Sequence, residues 1–130
     1  IDECVHGDIF KLPFQSNSLD GIWNVGVMEH FYEHEINSIL KEFKRVLKND
    51  ANIIIFWPMK FSPYILLINF YERILKYIFK KKINIYPDEV TRLKSKNHAK
   101  EIFIRNEFKN VKTFFNYRDL FSFCIIVCSK

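Results

Sequence analysis

The apolar positions of residues 34–48 fall on one helical face: Ile36, Ile39, Leu40, Phe43, Val46 and Leu47 recur at i, i+3, i+4 and i+7, with Lys41, Lys44, Arg45 and Lys48 on the other face and in the last turns. The run 51–57 (ANIIIFW) is continuously apolar and rich in β-branched residues, the pattern of a strand buried on both faces. Residues 19–25 (LDGIWNV) predict another strand ended by Gly26, and residues 3–6 (ECVH) the end of an earlier one broken by Gly7-Asp8. A second helix is predicted over 63–81, with Ser62 as N-cap and Pro63 at its first position. Its polar residues, Asn69, Glu72, Arg73, Lys76 and Lys80, form one narrow stripe. A connector with Pro87 follows, then a short helix over 97–108 facing inward with Ala99, Ile102 and Phe103. Strands over 111–115 and 121–128 close the chain.

The predicted order β, β, α, β, α, α, β, β indicates an α/β fold: a three-layer sandwich around a mostly parallel sheet, with an antiparallel hairpin at the C-terminal edge. The 130 residues suit one domain with its own core, and 48% hydrophobic content with 14 Phe excludes disorder. The chain opens at Ile1 rather than Met, which fits a fragment or a processed product, and residues 1–8 carry Asp2, Glu3 and Asp8 instead of an apolar leader. Cys4, Cys124 and Cys128 lack metal-ligand spacing and read as small buried thiols in a reducing compartment, with no metal site implied. The net charge of +5 owes much to Lys80–Lys82 and to Lys94, Lys96 and Lys100, which read as solvated faces in preference to a nucleic-acid or anionic-lipid site. The longest apolar run in the second helix, Tyr64 to Ile68, is too short to span a membrane.

The stretch GDIFKLPFQSNSLDGIWNVGVMEH (residues 7–30), followed by LKEFKRVLKNDANIIIFW (residues 40–57), is more specific. Gly7-Asp8, Leu12-Pro13-Phe14, Ser18-Leu19-Asp20, Glu29-His30, Glu42 and Arg45-Val46-Leu47-Lys48 stand in order and at suitable spacing. Together they resemble the class I S-adenosylmethionine-dependent methyltransferases of the type 11 branch. Residues 1–57 carry the resemblance; the remainder agrees in element order only. Leu19 replaces a usual Phe, and Asn49-Asp50-Ala51 replaces a Pro-Gly-Gly turn, a change Asn and Asp tolerate because they enter the left-handed backbone region. The family's Gly-rich loop and the acidic residue that takes the ribose hydroxyls are not found in these residues. The resemblance therefore implies a Rossmann-like domain lacking its first two strands, a C-terminal portion with a helical substrate-cover insertion around 61–97. The family's sheet order is 3-2-1-4-5-7-6, so the segment around Cys4 would lose its neighbour, and residues 1–10 are expected to detach or to pair abnormally.

The resemblance also assigns roles. S-adenosyl-L-methionine is the implied cofactor, with Asp8 accepting a hydrogen bond from the adenine amino group and the Ile9 N–H meeting a ring nitrogen. Asn24, Val25 and Gly26 would line the floor near the sulfonium, where a missing Cβ at Gly26 lets backbone approach. Asp8 and Glu29-His30 both follow strand ends, the rim where ligands bind in such sheets. Read without the resemblance, Asp8 is a turn residue. Methyl transfer needs a base only where the acceptor must lose a proton; His30 is the first candidate and Glu29 the second, against a structural role for His30 at a helix start. His34 reads as an exposed helix residue, while His6 and His98 have no partner that sequence identifies.

The implied activity is methyl transfer to a small-molecule or lipid-like acceptor in the cytoplasm, with nucleic acid disfavoured and peripheral membrane contact open. The helix over 63–81, with Tyr64, Phe70, Tyr71, Tyr77 and Phe79, would pack in the core, cover an apolar acceptor, or lie on a membrane surface. Two other classes stay open: a catalytically incomplete interaction module and a peripheral membrane-binding protein.

Overall fold

The computed structural model describes residues 4–60, 63–79, 89–119 and 122–130. Strand β1 (Leu19–Val25) leads through a turn at Met28–His30 into helix α1 (Glu33–Val46), which runs directly into β2 (Leu47–Pro58). Helix α2 (Pro63–Phe79) follows, then α3 (Lys96–Arg105), β3 (Lys109–Phe115) and β4 (Phe123–Ser129). The sheet order is β1-β2-β4-β3, the order expected for strands 4, 5, 7 and 6 of the sheet that the resemblance implies. β1 pairs with β2 in parallel, and β4 pairs antiparallel with both β2 and β3. The α/β class and the antiparallel hairpin stand as expected; within the described residues one pairing of three is parallel.

Local chemistry explains the element ends. The Glu35 carboxylate accepts the Tyr32 N–H at 2.8 Å, satisfying a free donor at the start of α1. Ser95 Oγ accepts the His98 N–H at 3.1 Å and caps α3. Asp50 takes φ 62°, the left-handed conformation expected of the Asn49-Asp50-Ala51 turn, but it lies inside β2, which begins four residues earlier than the apolar run suggests.

Alternation along the strands produces two unlike faces. Ile53, Ile55 and Trp57 of β2 and Cys124, Ile126 and Cys128 of β4 are buried against Ile36, Ile39, Leu40 and Phe43 of α1 and Ala99, Ile102 and Phe103 of α3. α1 and α3 are tied to each other by Arg105–Glu33 and by Asn106 Nδ2 donating to Asn37 Oδ1, both at 2.8 Å. On the opposite face stand Trp23, Val25, Ile54, Phe56, Phe114, Ile125 and Val127, adjacent through the strand register and half-buried to exposed.

Three expectations need correction. Residues 4–7 form no strand and are exposed, Cys4 included, so that thiol is not a buried one. An extended segment contributes to a sheet only through a neighbouring ladder, and these residues join none, although Gly7 lies close against the Pro13 ring. α2 is not packed through its broad apolar face: Leu66, Leu67, Phe70, Tyr71, Tyr77 and Ile78 are all more than half exposed. The amphipathic pattern forms the helix, and among its described side chains Ile68, Glu72 and Leu75 are the half-buried ones. The segment 89–95, expected as a plain connector, is tied in by a bridge between Met59 and Leu93, and Leu93 is fully buried. The Ser62 cap and residues 80–81 of the predicted helix lie outside the described residues. None of the described helices is long and apolar enough to cross a membrane.

Candidate active site

The motif residues Glu42 and Arg45 explain how the loop ahead of β1 is held. Glu42 Oε1 accepts the Leu12 N–H at 2.7 Å and pairs with Arg45 at 2.7 Å, while Oε2 accepts from Arg45 Nε at 2.8 Å. The same guanidinium donates to the carbonyls of Leu12 and Phe14, at 3.2 and 3.0 Å, and to Ser16 Oγ at 3.3 Å. A planar fork with five donors is suited to this clamp. The hydrogen bond from Arg45, aided by that from Leu12, holds the Glu42 carboxyl below its usual value.

The clamped loop continues back to Asp8 and Ile9. Asp8 Oδ1 accepts the Phe10 N–H at 2.9 Å and its carbonyl accepts the Lys11 N–H at 3.0 Å, so the residue does form an Asx turn. Its side chain is exposed, while Ile9 packs against the core. Phe10 meets Phe31 edge to face at 5.5 Å, which brings this turn beside the Met28–His30 turn. The two loops singled out in the sequence are thus neighbours.

At the carboxyl end of β1 the chain is polar and buried. Asn24 is 8% exposed and Glu29 is 5% exposed, and neither Asn24 Oδ1 nor Glu29 Oε2 has a hydrogen-bond partner among the described residues. A buried oxygen left unpaired costs about 1–3 kcal/mol, so two in one turn region mark where donors from a ligand or water belong. Gly26 sits between them at φ +67°, a conformation L side chains rarely adopt, and a Cβ there would lie 3.5 Å from Glu29 Oε1. Val25 is about half exposed and points to the open sheet face. Burial raises the Glu29 carboxyl above its usual value, opposed by its own backbone hydrogen bonding and by His30. His30 itself is exposed, its N–H donating to the Val27 carbonyl at 3.2 Å.

Sequence reasoning missed the segment that roofs this turn. The Glu29 carbonyl accepts the N–H groups of Val90 and Thr91, at 2.8 and 2.9 Å, and Trp57 Nε1 donates to the Thr91 carbonyl at 3.0 Å. The buried Glu89 carboxylate pairs with Arg92. Beside this segment lies a cleft of about 440 Å³ lined by Glu33, Lys60, Thr91, Arg92, Lys94 and His98 among others. The only sequence hint was Val90 and Leu93 recurring among charged neighbours. His34 is exposed as expected, stacked on Tyr32, and His98 does have a partner, its Nδ1 accepting the Lys94 N–H at 3.4 Å.

Residues 2–55 match the methyltransferase domain family. No curated protein matches the chain. Among solved structures, a SAM-dependent methyltransferase of Thermotoga maritima, described as a possible histamine N-methyltransferase, aligns with TM-score 0.63 and 20% identity over 95% of this chain and 62% of its own. A SAM-dependent methyltransferase of Archaeoglobus fulgidus aligns with TM-score 0.62 and 20% identity over 97% and 66%. Human N-acetylserotonin methyltransferase, solved in complex with SAM, aligns with TM-score 0.67 and 15% identity over 97% and 33%. The chain thus spans less than two thirds of each of these proteins, and at these identities the likeness shows the fold.

Proposed function

We propose that this chain, whose residues 2–55 carry the methyltransferase domain signature on a methyltransferase fold, serves S-adenosylmethionine-dependent methyl transfer within an intact domain. The observation that carries the reading is the pair of buried oxygens without partners among the described residues, Asn24 Oδ1 and Glu29 Oε2, flanking the left-handed Gly26 at the carboxyl end of β1. Asp8 and Ile9 would hold the adenine, and Asn24, Val25 and Gly26 the sulfonium end. S-adenosylmethionine, when bound, supplies an electrophilic methyl group. The chain's own residues orient and exclude water: the Glu42–Arg45 clamp fixes the Asp8 turn, and Phe10 on Phe31 closes the gap between the two turns.

Where the acceptor must lose a proton, Glu29 is a better base candidate than His30. Its carboxyl is buried, raised by that burial above its usual value, and has one oxygen without a hydrogen-bond partner among the described residues, whereas His30 faces solvent. The acceptor is a small molecule or a lipid-like one. The test is amide chemical-shift mapping of the full chain with S-adenosylhomocysteine. Weak but saturable shifts confined to residues 8–10 and 24–30 are expected; their absence at millimolar ligand removes the reading.

A second reading, attachment to a membrane surface, is favoured by α2, where Phe70, Tyr71, Tyr77 and Ile78 are exposed beside Arg73 and Lys76. Co-sedimentation with vesicles containing anionic lipid tests it. Phe70→Glu should abolish binding, and binding unchanged by that substitution discards α2 as the anchor.

A further inference from the structure

We infer that the cleft between the first turn of α1, the chain leaving β2 and the first turn of α3 seats an anionic group, a carboxylate or a phosphate, carried by the methyl acceptor. Its assignment to an acceptor rests on the methyl-transfer reading; the anion site itself does not.

The lining decides the sign. Six of its side chains are charged or titratable: Glu33, Lys60, Glu89, Arg92, Lys94 and His98. Both carboxylates already have guanidinium partners, Glu33 with Arg105 at 2.8 Å and Glu89 with Arg92. Lys94 makes no ion pair among the described residues, so positive charge is in surplus. Because His98 Nδ1 accepts the Lys94 N–H, a neutral ring carries its proton on Nε2 and offers a donor. Lys94 and His98 therefore supply donors, while each of the two carboxylates in the lining has one oxygen engaged by a guanidinium. The positive end of the α3 dipole lies at the same wall and adds to the attraction. A volume of about 440 Å³ holds a small molecule rather than a lone ion. The cleft is joined to the Glu29 turn by backbone, since Val90 and Thr91 line it and donate to the Glu29 carbonyl. A molecule with its anionic end at Lys94 would extend toward the Glu29 turn.

The test is a titration of the isotope-labelled full chain with inorganic phosphate and, separately, acetate, followed by amide shifts. Saturable shifts at Val90, Thr91, Lys94 and His98 are expected from at least one anion, and their relative strength separates phosphate from carboxylate recognition. Lys94→Glu should weaken the binding at least about tenfold. Lys109→Glu, in a separate cleft lined by Lys44, Asp50, Glu107 and Lys130, should leave it unchanged. Unsaturable shifts, or equal loss in both variants, would overturn the proposal. Shifts with phosphate but none with S-adenosylhomocysteine would retain the anion site and remove methyl transfer; the reverse would remove the anion site alone.

Discussion

The two faces of the same four strands differ in burial. Trp57 of β2 is fully buried under α1 and α3 with its indole N–H paired, whereas Trp23 on neighbouring β1 is 74% exposed on the opposite face. Both residues sit in apolar strands, and both faces carry Ile, Val and aromatic side chains. What separates them is the presence of a helical layer. Apolar content makes a face able to be buried; only a covering element converts it into stability.

The largest effect should come from emptying the covered side. Trp57→Ala is expected to destabilise the fold by about 3–5 kcal/mol in denaturant titration. Glu42→Ala, at the margin of the same layer, strips the Leu12 N–H and the Arg45 fork of their acceptor; a loss of about 1–2 kcal/mol and faster amide exchange over residues 10–16 are expected. Because Arg45 holds the Glu42 carboxyl below 4.5, that stability is present above pH 4.5 and fades as pH falls through the lowered value. Glu29→Gln should act in the other direction. The fold raises this carboxyl above 4.5, so its protonated form is the stabilising one and the contribution is lost as pH rises past that raised value. The variant should melt higher than the parent at pH 7, with the gain vanishing toward pH 4.

Two smaller effects sharpen the contrast. Burial pushes the Cys124 thiol up to about 11 and Cys128 up to about 12, while Cys4 is exposed. A thiol reagent at pH 8 should therefore label Cys4 promptly and the other two only on unfolding. Trp23→Ser should change stability by less than about 0.5 kcal/mol. Were it to match Trp57→Ala, the open face would be covered in solution and the comparison would fail.

Much of the architecture could be read from periodicity. The i, i+3, i+4 spacing of Ile36, Ile39, Leu40 and Phe43 placed α1, because that pattern buries its own face, and the run Ile53 to Trp57 placed β2, although burial on both faces was expected and only Ile53, Ile55 and Trp57 are buried while Ile54 and Phe56 lie on the open face. The misreadings share a cause. Whether residues 4–7 join a ladder, or whether Phe70 and Tyr77 are covered, depends on a neighbour and not on the segment's own composition. The motif pointed to the Glu29-His30 pair and named His30 before Glu29 as a base; what sequence does not display is that Glu29 is buried and His30 exposed. The 89–93 segment was illegible because its anchors are backbone groups, the Val90 and Thr91 N–H and the Thr91 carbonyl, which every residue possesses.

The sheet order has a kinetic consequence. β4 lies between β2 and β3, yet it is synthesised after both. Until the ribosome has released residues 123–129, β3 has no strand to pair with and β2 has one bare side, so half of this sheet must form in a single late step. Chains stalled or cleaved before Phe123 would present the apolar ladder Ile53–Trp57 to one another, and co-translational aggregation is the failure to which this topology is most exposed.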